Sequence, residues 1–299
     1  MLTHDVDVMS LREVSLRSRT FWGFPYRCTV ENFRRLRNGD MKLGEYIGSV
    51  AWAIGALFTK VGIGPDPWLS SFRRMIEIER YYNVRSTLFL IPFKARPGHL
   101  SDGTLALPKR SAHYQLETWQ DYLVSLQRDG WELGCHGIDC HMGPEHAREE
   151  YLRIANMFSS EVVGLRMHWL VTSARLTYNA VHAGFAYDST TGYNEGAGYP
   201  EEWIKPYRDA ATGMPIVPLH VQDSALLGEW RLGMRRKEAT GRINEILDQA
   251  AERQGVVTVL WHSNSFGPPR YWSDVYVCIL ERALRDGARI VRACDVACL

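Results

Sequence analysis

Short apolar runs alternate with amphipathic segments along the whole chain, and this alternation limits the fold more than any other feature. Residues 2–6, 86–91, 131–136, 162–169, 185–189, 214–219, 256–262 and 288–293 read as strands. Several are continuously apolar, the pattern of parallel strands covered on both faces. Residues 67–82, 116–128, 144–158, 172–183, 238–253 and 274–285 carry apolar side chains at helical spacing. In the first of these, Trp68, Phe72, Met75 and Ile76 form one stripe. Strand and helix in turn give an α/β fold with a parallel sheet. Seven or eight repeats of the unit favour a closed barrel over an open sheet. The 299 residues suit one large domain, since no Pro/Gly/Ser-rich linker divides them.

Two segments fall outside the alternation. Residues 8–66 are too long for a simple loop and read as a helical excursion over the barrel rim. Within it, residues 46–58 are apolar and rich in small side chains. Thirteen residues are short of the roughly 20 a membrane helix needs, so a buried helix is the first reading and a peripheral membrane contact the second. Residues 190–213 read as a long loop, with Gly192, Gly196, Gly198, Pro200 and Pro206.

Composition excludes some classes. A net charge of +1 gives no electrostatic case for nucleic acid. The six cysteines, Cys28, Cys135, Cys140, Cys278, Cys294 and Cys298, contain no CxxC pair and read as reduced thiols. Residues 1–20 are charged and lack the apolar core of a signal peptide, which points to a cytoplasmic protein.

Polar residues gather where the strands end. Asp5 and Asp7 stand two apart in THDVD, a spacing that sends both carboxylates to one side of a strand. Two convergent carboxylates call for a cation or a proton between them. His136 and His141 follow the third run, Arg166 and His168 the fourth, Asp188 the fifth and His262 the seventh. In α/β barrels this is the catalytic face. An Asp with two His makes a three-ligand metal set with an open position, suited to zinc, with cobalt and iron fitting the same donors. A second carboxylate can then act as base, a remote His as acid, and an Arg can orient the base. Together these describe a metal-assisted amide hydrolase.

The ordered motifs THDVD, STLFL, ELGCHGIDCH, GLRMHWL, YDST and VLWHSNSF resemble the polysaccharide deacetylases with the NodB-homology domain, carbohydrate esterase family four. The resemblance runs from Thr3 to about Phe266. It implies a distorted (β/α)7-type barrel and one divalent metal, with an N-acetylated sugar or glycan as substrate; the lack of a signal peptide makes a nucleotide-linked or lipid-linked form in surface-polysaccharide biosynthesis the expected setting. It places Asp5 as base, Asp7 and His136 as metal ligands, Arg166 as partner of the base and His262 as the acid. Asp188 and Asp223 take the positions of tuning acids, Asp188 beside the substrate, and Trp169 that of a sugar-pocket wall. The family's second histidine stands four residues after the first, where this chain has Cys140. His141 is therefore the expected third ligand, with Cys140 and His146 as alternatives. Five residues differ by roughly 140° on a helix, so His141 requires a loop or distorted turn. Only four residues precede Asp5, so either the first strand is short or the native chain starts upstream of Met1. A deformylase or other linear-amide hydrolase, and a glycan-binding pseudoenzyme, are the competing functions.

Overall fold

The computed structural model describes residues 1–106, 110–199 and 203–297. Among the described residues nine strands form one sheet: β1 (Leu2–Val6), β2 (Thr87–Leu90), β3 (Glu132–Gly137), β4 (Gly164–Met167), β5 (Tyr187–Asp188), β6 (Tyr207–Arg208), β7 (Pro215–Ile216), β8 (Val221–Gln222) and β9 (Val259–Leu260). Their order is β6-β7-β5-β4-β3-β2-β1-β9-β8. All neighbours are parallel except β6 with β7. The two ends of the sheet meet in one stretch of chain. β7 pairs with β5, and five residues on β8 pairs with β9. Residues 215–222 are thus a single stave that closes the ring, and with β1, β2, β3, β4, β5 and β9 the staves number seven. This is the expected distorted (β/α)7 barrel.

The helices are α1 (Arg19–Tyr26), α2 (Asn32–Arg37), α3 (Leu43–Lys60), α4 (Pro67–Tyr81), α5 (Leu116–Arg128), α6 (Pro144–Phe158), α7 (Leu176–Ala183), α8 (Asp223–Leu227), α9 (Arg236–Arg253), α10 (Ser273–Arg285) and α11 (Ala293–Ala297). α5 and α6 have the expected bounds. The run 288–293 is not a strand: it leads into α11 and meets β1 through one bond, Leu2 N to Val291 O at 3.2 Å. An apolar run of that length packs equally well as a covering segment, and periodicity does not separate the two.

Strand alternation sorts β1 into two functions. Thr3, Asp5 and, just past the strand end, Asp7 face the barrel interior, where Arg166 Nη1 donates to Thr3 Oγ1 at 2.7 Å. His4 faces the helix layer and meets Glu79 of α4 at 2.8 Å. Tyr276, Trp131 and Ser86 donate to the same carboxylate, so the buried acid is fully partnered. The network locks β1 to α4 and α10 and fixes the height of Asp5 and Asp7 in the barrel.

The interior also depends on a missing side chain. A Cβ on Gly164 would lie 1.9 Å from Tyr187 Cζ, and Tyr187 donates its hydroxyl to Glu132 at 2.6 Å. Gly164→Ala must push the ring off and leave the buried Glu132 short of a donor. We expect a loss of about 1–3 kcal/mol or more in denaturant unfolding. An unchanged midpoint would show that the ring relaxes freely.

The excursion forms as helices α1 to α3, with a 3-10 turn at Leu11–Glu13 and a π turn at Arg27–Glu31. Asp66 ties its two ends together. Its carboxylate caps α4 at Trp68 N and Leu69 N, and also accepts from Ser10 Oγ and Leu11 N. The excursion packs on the rim through Asn32 Nδ2 to Pro269 O at 2.9 Å and Arg35 Nη1 to Arg270 O at 2.8 Å. The expected helix at 46–58 lies inside α3 but is not buried: Ile47, Ile54, Leu57 and Phe58 are exposed. Among the described residues no helix is long and apolar enough to cross a membrane. The loop expected at 190–213 is interrupted by β6 and so ends earlier than its bounds; its Pro200, like Cys298, lies outside the described residues.

Candidate active site

Parallel staves deliver their C-terminal ends to one face, and the side chains there line a cleft of about 150 Å³. Asp5 and Asp7 come from β1, His136 from β3, His168 from the turn after β4, and His262 from just past β9. Donor atoms of Asp7, His136 and His168 all lie within 4.8 Å of one another. His136 Nε2 stands 3.5 Å and His168 Nε2 3.7 Å from Asp7 Oδ1.

The other ring nitrogens set the tautomers. His136 Nδ1 lies 2.9 Å from Arg166 O, and His168 Nδ1 lies 2.9 Å from Arg110 O. A carbonyl oxygen only accepts, so each Nδ1 carries a proton, and Nε2 is the nitrogen left to offer a lone pair inward. Burial presses His168 toward the neutral form, with its pKa lowered to about 4. Asp7 Oδ1 is buried among these lone pairs and accepts no hydrogen bond from the described residues. One carboxylate oxygen and two imidazole lone pairs converging without a donor are what a divalent cation requires, and the residues fit such an ion.

His168 takes the place expected of His141. The latter sits in the turn after β3, with Nε2 3.2 Å from Leu100 O, and is not in the converging set. The chain bends away from the cleft once β3 ends at Gly137, which carries residues 138–142 toward α6. Cys140 is also excluded as a ligand here: its thiol donates to Glu150 at 3.0 Å, and burial holds it well above its ordinary pKa. The signal for His168 was in the sequence. Arg166 and His168 are two apart, the same spacing that brings Asp5 and Asp7 together.

Two ion pairs flank this set. Asp5 Oδ1 accepts from Arg166 Nη1 at 3.2 Å, and Asp5 Oδ2 lies 3.4 Å from His136 Nε2. Arg166 is fully buried, and Ser189 also accepts from it through O at 3.1 Å and Oγ at 2.7 Å. The guanidinium is therefore fixed, and Asp5 with it. On the far side His262 Nδ1 meets Asp223 Oδ1 at 2.5 Å, and its Nε2 points back to Asp7 Oδ2 at 3.7 Å. Burial disfavours the imidazolium, but the Asp223 carboxylate outweighs it and raises the His262 pKa.

Trp169 lines the cleft and is 44% exposed as a residue, held at a φ of 61° that a non-glycine residue rarely adopts. Asp188 does not reach the cleft. Its carboxylate is buried and bonded to Thr190 N and Oγ1, and burial raises its pKa to about 6 despite those bonds. Arg270, Arg231, Trp230, Asn194, Gln222 and Ser224 line the cleft and carried no motif in the sequence.

No family model matches the chain, and no curated protein matches it in sequence. Solved structures do match. A protein from Mycobacterium smegmatis assigned to the polysaccharide deacetylases superposes with a TM-score of 0.57 at 14% identity, over 99% of this chain and 88% of that one. One from Pseudomonas aeruginosa PAO1, also assigned there, gives 0.53 at 16% identity over 76% and 71%. The chain has the fold of the polysaccharide deacetylases. A PuuE allantoinase gives 0.54 at 13% identity over 76% and 70%, so the fold is shared with a differently named protein. At such identities the likeness is one of fold, and activity has to be argued from the site.

Proposed function

We propose that this chain is a metal-dependent amide hydrolase that removes the acetyl group from an N-acetylated sugar or glycan intermediate of surface-polysaccharide biosynthesis. The observation that carries the reading is the convergence of Asp7, His136 and His168 on a donor-free point inside an open cleft, between a fixed carboxylate and a fixed imidazole. A divalent metal held by those three residues, zinc by the donor set, would supply Lewis acidity toward an acyl carbonyl and a water. Asp5 accepts the proton of the attacking water. Arg166 holds that carboxylate pointed at the cleft. His262 gives its proton to the departing nitrogen, and Asp223 holds the ring so that Nε2 carries that proton into the cleft. Trp169 offers a flat apolar wall to a sugar ring.

Asp223→Asn separates this account from a purely structural pairing. His262 must be protonated to act as acid, so the rate falls as pH rises through its pKa. Asp223 raises that pKa, and removing the charge lowers it. The alkaline limb of the pH–rate profile should therefore move to lower pH with metal content unchanged. An unmoved limb with reduced melting temperature would remove His262 from proton transfer.

A linear-amide substrate is the second reading, supported by the small cleft. Purified, metal-loaded protein should be assayed against N-acetylated, N-formylated and linear-amide compounds side by side. Release of acetate from an amino sugar supports the proposal. Activity on formyl or linear amides alone supports the second reading. Stoichiometric metal with no turnover on any of them would mark a binding protein.

A further inference from the structure

α3 is apolar on its outer face as well as where Trp52 and Ala53 pack on the core. Its inward face carries Ser49, Ala56 and Thr59, all buried, while Leu43, Ile47, Ile54, Leu57 and Phe58 face solvent. At 100° per residue those five fall within one arc of about 100°, a continuous outer stripe. Ile54 is 68% and Phe58 56% exposed. The stripe does not stand alone. Of the 25 exposed large apolar residues in the described chain, 12 lie in residues 8–66, a fifth of the length, including Trp22, Tyr26 and Phe33 on α1 and α2. Isolated surface hydrophobics need no explanation, but a concentrated face does.

Charge identifies what covers it. Residues 8–66 hold nine Lys and Arg against five Asp and Glu, a net of +4, so the rest of the chain carries −3 of the total +1. No carboxylate in residues 8–66 is exposed. Asp66 is buried, Glu13 accepts from Trp119, Asp40 and Glu45 are engaged by Arg236, and Glu31 stands 3.9 Å from Arg27. Arg17, Arg19, Arg34, Arg37 and Lys42 are exposed. The face is apolar along its stripe and purely cationic among its exposed charges. A second copy of this chain would set like charges against each other across such a contact. An anionic bilayer surface matches both properties. At 18 residues α3 is about 27 Å long, suited to lying in the interface plane.

We infer that the outer face of the α1–α3 excursion is a membrane-binding surface that seats its apolar stripe among anionic phospholipid headgroups. The face adjoins the cleft: Arg27, next after α1, stacks over Trp230 of the cleft wall at 5.5 Å. The inference does not depend on the hydrolytic reading.

The test is flotation of the full chain with vesicles of phosphatidylcholine alone and of phosphatidylcholine mixed with phosphatidylglycerol. The wild type should float with the mixed vesicles, stay behind with the neutral ones, and be released by high salt. The double substitution Ile47→Glu, Ile54→Glu lies on the solvent face and should lower partitioning about tenfold or more without changing the melting temperature. Arg34→Glu with Arg37→Glu should weaken binding and flatten its salt dependence. Failure of the wild type to float with the mixed vesicles overturns the inference, as does equal binding to neutral ones. So does a self-associated species, dispersed by the same Ile substitutions, in a protein that ignores lipid. Salt release is read on the wild type alone, so the inference stays testable if a variant misfolds.

Discussion

His168→Ala should lose both bound metal and hydrolysis, while His141→Ala keeps both. A three-ligand site rarely survives the loss of one donor, and the removed imidazole is one of two whose Nε2 faces Asp7 Oδ1. His141 instead spends its Nε2 on the Leu100 carbonyl, in a turn outside the set. Metal content by elemental analysis and turnover on an N-acetylated amino sugar are both read on the same preparations. Activity should fall by the larger part of the rate enhancement, beyond about a thousandfold, because Lewis acidity and water activation vanish together. Metal loss in His141→Ala with retention in His168→Ala would return the third ligand to the turn after β3.

Asp5→Asn should keep the metal and lose about 10²- to 10⁴-fold in turnover. The amide has nearly the shape of the carboxylate and still meets Arg166, so the fold should hold, but it cannot take a proton. Asp5 is also 3.4 Å from His136 Nε2, which makes a structural role the competing explanation. That role predicts weakened metal binding in Asp5→Asn with a rate per bound metal that is little changed. Titrating metal against activity separates the two: a saturable but slow enzyme supports the base, and full rate at high metal removes it.

The fold was largely legible because its strands are buried on both faces and its helices are long and striped. α5 and α6 appear with the bounds that periodicity gives, and β1 likewise. The run 288–293 misled because apolar content alone does not separate a strand from a covering segment. The site was legible where side-chain chemistry and strand alternation coincide: Asp5, Asp7, His136, Arg166, Asp223 and His262 all meet at one end of the barrel. His168 was passed over as a donor because the family's second histidine was sought in the turn after β3, and because it follows Arg166, which carries a role of its own. Asp188 was misplaced because a strand-end acid can spend itself on the next turn, as it does with Thr190. Arg270 and Arg231 carry no local motif; they reach the cleft from segments far apart in sequence, and nothing short of the fold brings them together. For residues 46–58, burial was the first reading and a peripheral membrane contact the second. Apolar content says that a face is covered but not whether protein covers it.

Everything in the proposed chemistry depends on one divalent metal held by Asp7, His136 and His168. Anomalous diffraction at the zinc edge from crystals grown with zinc tests it most directly. The account predicts a single strong peak within bonding distance of Asp7, His136 Nε2 and His168 Nε2. A peak at His141 and Cys140, or a cleft without one while zinc binds elsewhere, would contradict it.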